Sequence, residues 1–436
     1  MPQFFSIRNL SFHLPSSIFG LLFLLPQFSF SQSLIQYTNK IYNGNIRTFQ
    51  ITVPPLYTSN PVIILGGQNY FRFSFDDLEG GNKNYYYTVE LCNADWSHAD
   101  VDPFEYIDGF SEQQIYDYKN SFNTDQVFTH YTDSFPRKDF NLKLSGNYLL
   151  KIYLDNDPTK IVITQRFLIY EPKLSITSRI HQPVDLNINE TSHEVDCTVK
   201  TTGTTISNPW DDVKLTIMQN FRWDNTISLK PLFVKNDELD YNYQEENIFT
   251  AGKEFRMFDT RTLRYKGYHV FDLKESVPNG LPEVYLYADD PRTYQKYYFE
   301  KDLNGKFIID KQETTSDANL EADYCYVNFT MPMSIPLTGG KMYVFGALSN
   351  WDTIPEMQMK YNDKIKAYEC WAKLKQGYYN YQYIFVDDKL KTFDCETIEG
   401  NWWETEDDYQ ILVYYRPPGA RYDQLIGFKQ TNSTIQ

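Results

Sequence analysis

The chain has 436 residues, with 57 acidic side chains against 41 basic ones and a formal net charge of −16. That excess repels phosphate backbones and anionic head groups, so nucleic acid and acidic lipid are poor partners. Tyrosine (36) and phenylalanine (31) dominate the apolar inventory, and aromatic side chains favour pleated, half-buried surfaces, which predicts a β protein.

The chain begins MPQFFSIRNLSFHLPSSIFGLLFLLPQFSFSQS, with Arg8 as its only strong charge, an apolar run over 18–25 and the small residues Ser29 and Ser31. This pattern predicts a secretory signal peptide over 1–31, with Gln32 first in the mature chain. The run is shorter than the roughly 20 residues that cross a bilayer as a helix. No cysteine stands at the cleavage point, so no lipid anchor is expected. Loss of Arg8 takes the net charge from −16 to −17, and the remaining 405 residues (436 minus 31) suggest two or three domains.

Further along, Tyr85, Tyr87, Val89 and Leu91 alternate with Tyr86, Thr88 and Glu90, as on a strand with one buried side. The window LCNADWSHADVDPFEYIDGF (91–110) follows, dense in acidic and aromatic residues. NYLLKIYLD (147–155) and KIVITQRFLIY (160–170) flank the turn formers DNDPT and read as a hairpin that closes a first domain, 32–172. Strand candidates HEVDCTVKT, DVKLTIMQNF and EVYLYADD, with turns at WDN (223–225) and DLNG (302–305), predict a second domain over 173–315. The polar stretch KQETTSDANLEADY reads as a linker. DYCYVNFTM, KMYVFGALSNWD, YECWAKL and GYYNYQYIFVDD predict a third domain over 320–436. The expected fold is all-β: two or three antiparallel β-sandwiches in series, immunoglobulin-like or glycogen-binding-like.

Motifs for chemistry are missing. G-x-S-x-G, H-E-x-x-H, G-x-G-x-x-G and a phosphate-binding P-loop do not occur, and His98, His130, His181, His193 and His269 show no i, i+2 or i, i+4 spacing for a metal. The carboxylate pairs Asp76-Asp77, Asp211-Asp212 and Asp289-Asp290 resemble the paired acids of a glycosidase, but strand neighbours point to opposite faces and cannot act as a pair. No catalytic residue, cofactor or metal is expected. Cys92, Cys197, Cys325, Cys370 and Cys395 are odd in number and lack C-x-x-C spacing, so they form no disulfide scaffold or zinc ribbon. Export permits a Cys370–Cys395 bridge, with buried free thiols as the other reading.

VFGALSNWD (344–352) and YECWAKLKQGYYNYQYIFVDD (368–388) resemble glycogen-binding β-sandwich modules. That resemblance implies a carbohydrate-binding protein in which Trp351, Trp371, Trp402 and Trp403 stack on sugars. The other reading has Trp351 pack its loop onto the sheet.

A wider resemblance joins FSFDDLEGGNKNYYYTVELCNADW, the 91–110 window, SFNTDQVFTHY, LSGNYLLKIYLDND, TIMQNFRWDNTI, AGKEFRMFDTRTLRY, YLYADDPRTYQKY, DLNGKF and WAKLKQGYYNYQYIF, in order along nearly the whole mature chain. Together these strings resemble the plug-protein family of the type IX secretion system. The resemblance implies a non-enzymatic periplasmic protein that docks on an outer-membrane translocon barrel of SprA type, seals its periplasmic mouth and gates export. In that setting Asp95, Asp100, Asp102 and Asp108 are expected to cap turns, and Trp96, Phe104, Tyr106 and Phe110 to fix a long loop against the sheet. That loop and the neighbouring Phe122, Asn123, His130 and Tyr131 are the candidates for barrel contact, with internal packing as the alternative for both stretches.

Overall fold

The structure is a computed structural model and describes residues 35–275 and 280–434; the expected leader over 1–31 lies outside the described residues. Strand pairing is antiparallel except at two places, and it builds three two-layered sandwiches around separate apolar clusters. Among the described residues no helix is long and apolar enough to cross a membrane.

In the first sandwich one layer runs Lys40–Ile41, Ile161–Tyr170, Gly146–Leu154, Tyr85–Cys92 and Gln113–Gln114. The facing layer runs Ile46–Thr52, Phe71–Asp77, Thr129–Phe135 and Asp117–Asn120. Tyr85, Tyr87, Val89 and Leu91 all enter the core, as their alternation requires. They meet Phe73 and Phe75 edge-on, with Phe73–Tyr87 at 5.2 Å and Phe75–Tyr85 at 5.1 Å, the arrangement that ring quadrupoles favour. The expected hairpin is present, with Lys151 opposite Thr164. Its turn places Asp155 and Asn156 at φ 57° and 54°, a conformation these residue types tolerate.

Strand Gly146–Leu154 is buried on both sides. Tyr148, Leu150 and Ile152 face the first core, while Leu149 joins Cys92, Trp96 and Leu168 in a separate cluster with Met218, Leu412, Tyr414 and Leu425. The first sandwich is therefore packed against the second through an apolar seam.

The second sandwich does not respect the expected boundary near 315–320. Its first layer is Ser175–His181, Ser192–Lys200, Glu238–Asp240 and Phe233–Lys235, with Ile248–Thr250 also on Ser192–Lys200. Its second layer is Thr226–Leu229, Val213–Gln219, Asp408–Tyr415 and Gln424–Asn432. Val213–Gln219 pairs along its whole length with Asp408–Tyr415. Leu215 and Ile217 are fully buried, and Thr226–Leu229 is too short to cover the strand on its own. The apolar face Tyr409, Ile411 and Val413 supplies the rest of the cover.

Residues 256–309 belong to the third sandwich instead. Its long strand Gly377–Asp387 pairs with Arg256–Asp259, Phe307–Ile309, Gly340–Phe345 and Phe393–Asp394. The facing layer runs Val270–Lys274, Glu283–Leu286, Tyr324–Pro332, Ala367–Lys375 and Lys360–Asn362.

The stretch read as a linker is folded down. Asp317 caps the short helix Ala318–Glu321, and the buried Glu321 accepts from the Thr315 and Ser316 amides. Few large apolar residues made it look loose, but carboxylates satisfying backbone N–H groups fix such a segment equally well. All five cysteines are free: Cys370 faces the third core, while Cys395 packs beside Phe345 in another cluster, so the two form no bridge.

Candidate functional site

After strand Tyr85–Cys92 the chain turns tightly. The Trp96 N–H donates to the Asn93 carbonyl (2.9 Å), and Asp95 accepts from the Ser97 amide (2.9 Å) and hydroxyl (2.6 Å). Trp96 sits at φ 65°, a left-handed conformation unfavourable for a bulky side chain. Packing holds it there: its ring is edge-on to Trp223 at 4.8 Å and lies 4.3 Å from the Arg166 guanidinium. Burial pushes Arg166 down to about 10.

Asp102 then caps helix Pro103–Tyr106, accepting from the Phe104 amide (3.0 Å) while Glu105 reaches back to the Asp102 amide (3.3 Å). This reciprocal capping box sets the helix start. The helix turns Tyr106 into the core and leaves Phe104 82 % exposed. Strand Ile107–Gly109 follows, paired with Phe140–Leu142. A Cβ at Gly109 would lie 2.1 Å from the Asp139 carbonyl, so the close approach requires glycine, and it leaves Phe110 64 % exposed. Asp95 and Asp102 thus cap backbone amides; Asp100 and Asp108 make no such bond among the described residues. Trp96 and Tyr106 anchor the loop, and Phe104 and Phe110 face solvent.

The second candidate stretch divides in the same way. Phe122 and Asn123 are exposed on the turn before strand Thr129–Phe135, but that turn rests on the third sandwich. The Phe122 amide donates to the Leu320 carbonyl (3.0 Å), and the Gln126 amide donates to the Asp323 carboxylate (3.0 Å). Tyr131 is wholly inside, stacked on Phe75 at 5.2 Å. His130 places Nδ1 2.7 Å from Asp76.

Asp76 marks a buried charged junction between the first and third sandwiches. Lys375 Nζ stands 2.6 Å from Asp76 Oδ2, with both side chains 1 % exposed, and the Tyr324 hydroxyl donates to the same oxygen at 2.7 Å. Lys375 also donates to the Asn319 carbonyl and lies 4.0 Å from the Phe128 ring. Burial pushes the Asp76 carboxyl upward, but the Lys375 ammonium and His130 outweigh it and bring Asp76 below its ordinary value. Its neighbour Asp77 faces away and pairs with Lys83 and the Tyr85 hydroxyl. Asp289 is likewise buried among Arg256 (2.8 Å) and the Tyr381 and Tyr383 hydroxyls while Asp290 is exposed; Asp211 and Asp212 end helix Pro209–Asp212. Each buried acid is held by cations and hydroxyls that bind separate elements together, which is a structural arrangement.

The four tryptophans suggested for sugar stacking are apart from one another, with no ring pair between any two of them among the described residues. Trp351 packs edge-on to Phe345 (5.4 Å) and Phe255 (5.9 Å), close over Gly305, where a Cβ would meet it at 2.3 Å. Trp402 lies beside Lys253, and the backbone of Trp403 is tied to Glu190. Trp371 is 40 % exposed and edge-on to Tyr285 at 5.2 Å.

Trp371 belongs to an aromatic sheet face that sequence reading did not pick out. Val284 and Leu286 fill the core, so Tyr285 and Tyr287 point outward, joined by Phe271 and Tyr326. Phe271 meets Tyr287 at 5.4 Å, and Lys274 Nζ lies 4.2 Å from the Tyr285 ring. The alternation in EVYLY carried the signal. Exposed aromatic clusters of this kind mark interaction surfaces.

Residues 46–171 match the family model described as the type 9 secretion system plug protein first domain. The chain belongs to the type IX secretion system plug protein family. The matched span holds every strand of the first sandwich from Ile46–Thr52 onward and includes the loops carrying Phe104, Phe110 and Phe122. A crystal structure of a hypothetical protein from Parabacteroides merdae is 34 % identical, with a TM-score of 0.87 over 92 % of this chain and 100 % of that one. No curated protein matches the chain. The family gives the protein a part in type IX secretion, as a structural component associated with that system at the periplasm and outer membrane.

Proposed function

We propose that the protein is a non-enzymatic periplasmic plug that docks on the translocon barrel of the type IX system, of SprA type, and closes its periplasmic mouth until export. The observation that carries this reading is the match of residues 46–171 to the plug family's first domain. The physical need is plain: a wide transmembrane barrel leaves an aqueous lumen, and one that passes folded cargo leaks small solutes unless a domain-sized body blocks it.

The architecture suits such a body. The apolar seam at Trp96, Leu149, Met218 and Tyr414 and the buried Asp76–Lys375 pair join the sandwiches, so that the plug resists deformation as a unit. Docking then falls to exposed aromatic anchors within polar rims. Phe104 and Phe110 offer these on the first sandwich, and Tyr287, Tyr326 and Trp371 on the third.

Deleting the gene in a strain that keeps the translocon is expected to admit large antibiotics and dyes that the parent strain excludes, and the tagged protein is expected to co-purify with the barrel in mild detergent. A deletion strain as impermeable as its parent, with the barrel present, would overturn the reading. Phe104→Ala with Phe110→Ala, and Tyr287→Ala with Trp371→Ala, should each leave folding stability within about 0.5 kcal/mol of the parent, as exposed positions do. The pair that makes the contact should lower barrel recovery several-fold.

A further inference from the structure

Strands Ser175–His181 and Ser192–Lys200 run antiparallel with His181 directly opposite Glu194, and Asp196 follows two residues along the same face. Val195 and Cys197 fill the core on the other side. One ligand atom from each of His181, Glu194 and Asp196 lies within 4.8 Å of the others.

The imidazole is oriented for ligation. His181 Nδ1 is 2.8 Å from the Gln182 carbonyl, which can only accept, so Nδ1 carries the proton. The lone pair of Nε2 is then aimed at the carboxylates, 2.9 Å from Asp196 Oδ2 and 3.9 Å from Glu194 Oε1. An imidazole lone pair does not face a carboxylate oxygen at that distance unless a cation lies between them or a second proton sits on the nitrogen. A proton makes a hydrogen bond to Asp196 and reaches Glu194 only across 3.9 Å. It leaves the three side chains at a summed charge of −1 and leaves Glu194, only 4 % exposed, with an Oε2 that has no hydrogen-bond partner, a costly state for a buried carboxylate. A dication brings the sum to zero and engages both acids. Arg179, opposite Asp196 in the register, is exposed and forms no ion pair with it among the described residues.

We infer that His181, Glu194 and Asp196 form a binding site for a divalent transition metal of the zinc class. One imidazole and two carboxylates suit that class and leave one coordination position for water. Outer support is in place: the Gln182 carbonyl fixes the imidazole, and Asn247 Nδ2 donates to the second oxygen of Asp196 at 3.2 Å, the kind of partner that orients ligating groups. A metal held there ties strand Ser175–His181, outermost in its sheet among the described residues, to the neighbouring strand Ser192–Lys200.

The test uses the mature protein, stripped with a chelator and titrated with zinc chloride by calorimetry, with melting followed in parallel. One zinc per chain and a higher melting temperature are expected. Glu194→Gln and His181→Asn should weaken binding at least tenfold and abolish the shift in melting, while His98→Asn, on the first sandwich, should bind as the parent does. Circular dichroism should show both site variants folded like the stripped parent. No zinc uptake by the parent, or equal affinity in parent and site variants, would overturn the site.

Discussion

Lys375 has almost no water to solvate its charge, and burial lowers its pKa accordingly. It stays compatible with the interior because Asp76, Asn319 and the Phe128 ring surround the ammonium. Removing one member of a buried ion pair leaves the other uncompensated, at a cost of about 3–5 kcal/mol, whereas replacing both by neutral groups costs far less. Lys375→Met should therefore lower stability by about that amount, read from the urea midpoint, and adding Asp76→Asn should restore a large part of the loss. An equal or greater loss in the double variant would show that the charges themselves hold the junction. Sequence alone could not supply this pair: Asp76 and Lys375 are 299 residues apart, and each stands beside another charged or polar residue that looks equally suited to face water.

At the scale of elements, hydrophobic alternation told inward from outward faces well, because a side-chain period of two follows from strand geometry itself. Tyr85 to Leu91, the 147–170 hairpin and the long strand Gly377–Asp387 were all legible. Partner choice was not. Val213–Gln219 and Asp408–Tyr415 each announce a strand, yet nothing local in either says that they pair across about 200 residues. The same limit split the candidate site: the aromatic content of 91–110 was evident, but the capping box that sends Tyr106 inward and Phe104 outward depends on where the helix sits on the sheet. The strand exchange has a direct consequence. A fragment spanning 173–315 lacks half of the second layer of its sandwich and includes strands that belong to the third, so it should be unfolded by circular dichroism and give collapsed amide dispersion in NMR spectra. A fragment spanning 36–171 keeps both layers of the first sandwich and should fold, although with the Trp96 and Leu149 seam uncovered. A dispersed, cooperative spectrum from 173–315 would contradict the pairing described.

At the scale of the whole molecule, the chain crosses from the second sandwich to the third at 251–255 and returns at 400–407, and acidic groups gather at these crossings. Burial, reinforced by the charges of Glu254 and Glu406, pushes Asp302 up to about 7. Burial likewise raises Asp407 well above its ordinary value, with Glu254 and Asp302 adding to the effect, and raises Glu254. A carboxyl whose folded pKa lies above its unfolded one holds a proton that the unfolded chain has released, so its contribution to stability falls as pH rises, for Asp302 between about 4 and 7. Other groups pull the opposite way. Burial lowers His193, so folding loses stability as pH drops below the imidazole's ordinary 6.5. Asp76, Asp289 and Glu399 are lowered by their cations despite burial, and their contributions disappear only in strong acid. The raised carboxyls Asp302, Asp407 and Glu254 outnumber the lowered His193, so the melting temperature should fall by a few degrees as the pH rises from 5 to 7. Asp302→Asn and Asp407→Asn remove the titrating groups, and each should flatten that slope even where the hydrogen bonds it loses lower stability at every pH. A slope between pH 5 and pH 7 that survived both substitutions together would locate its source away from the crossings.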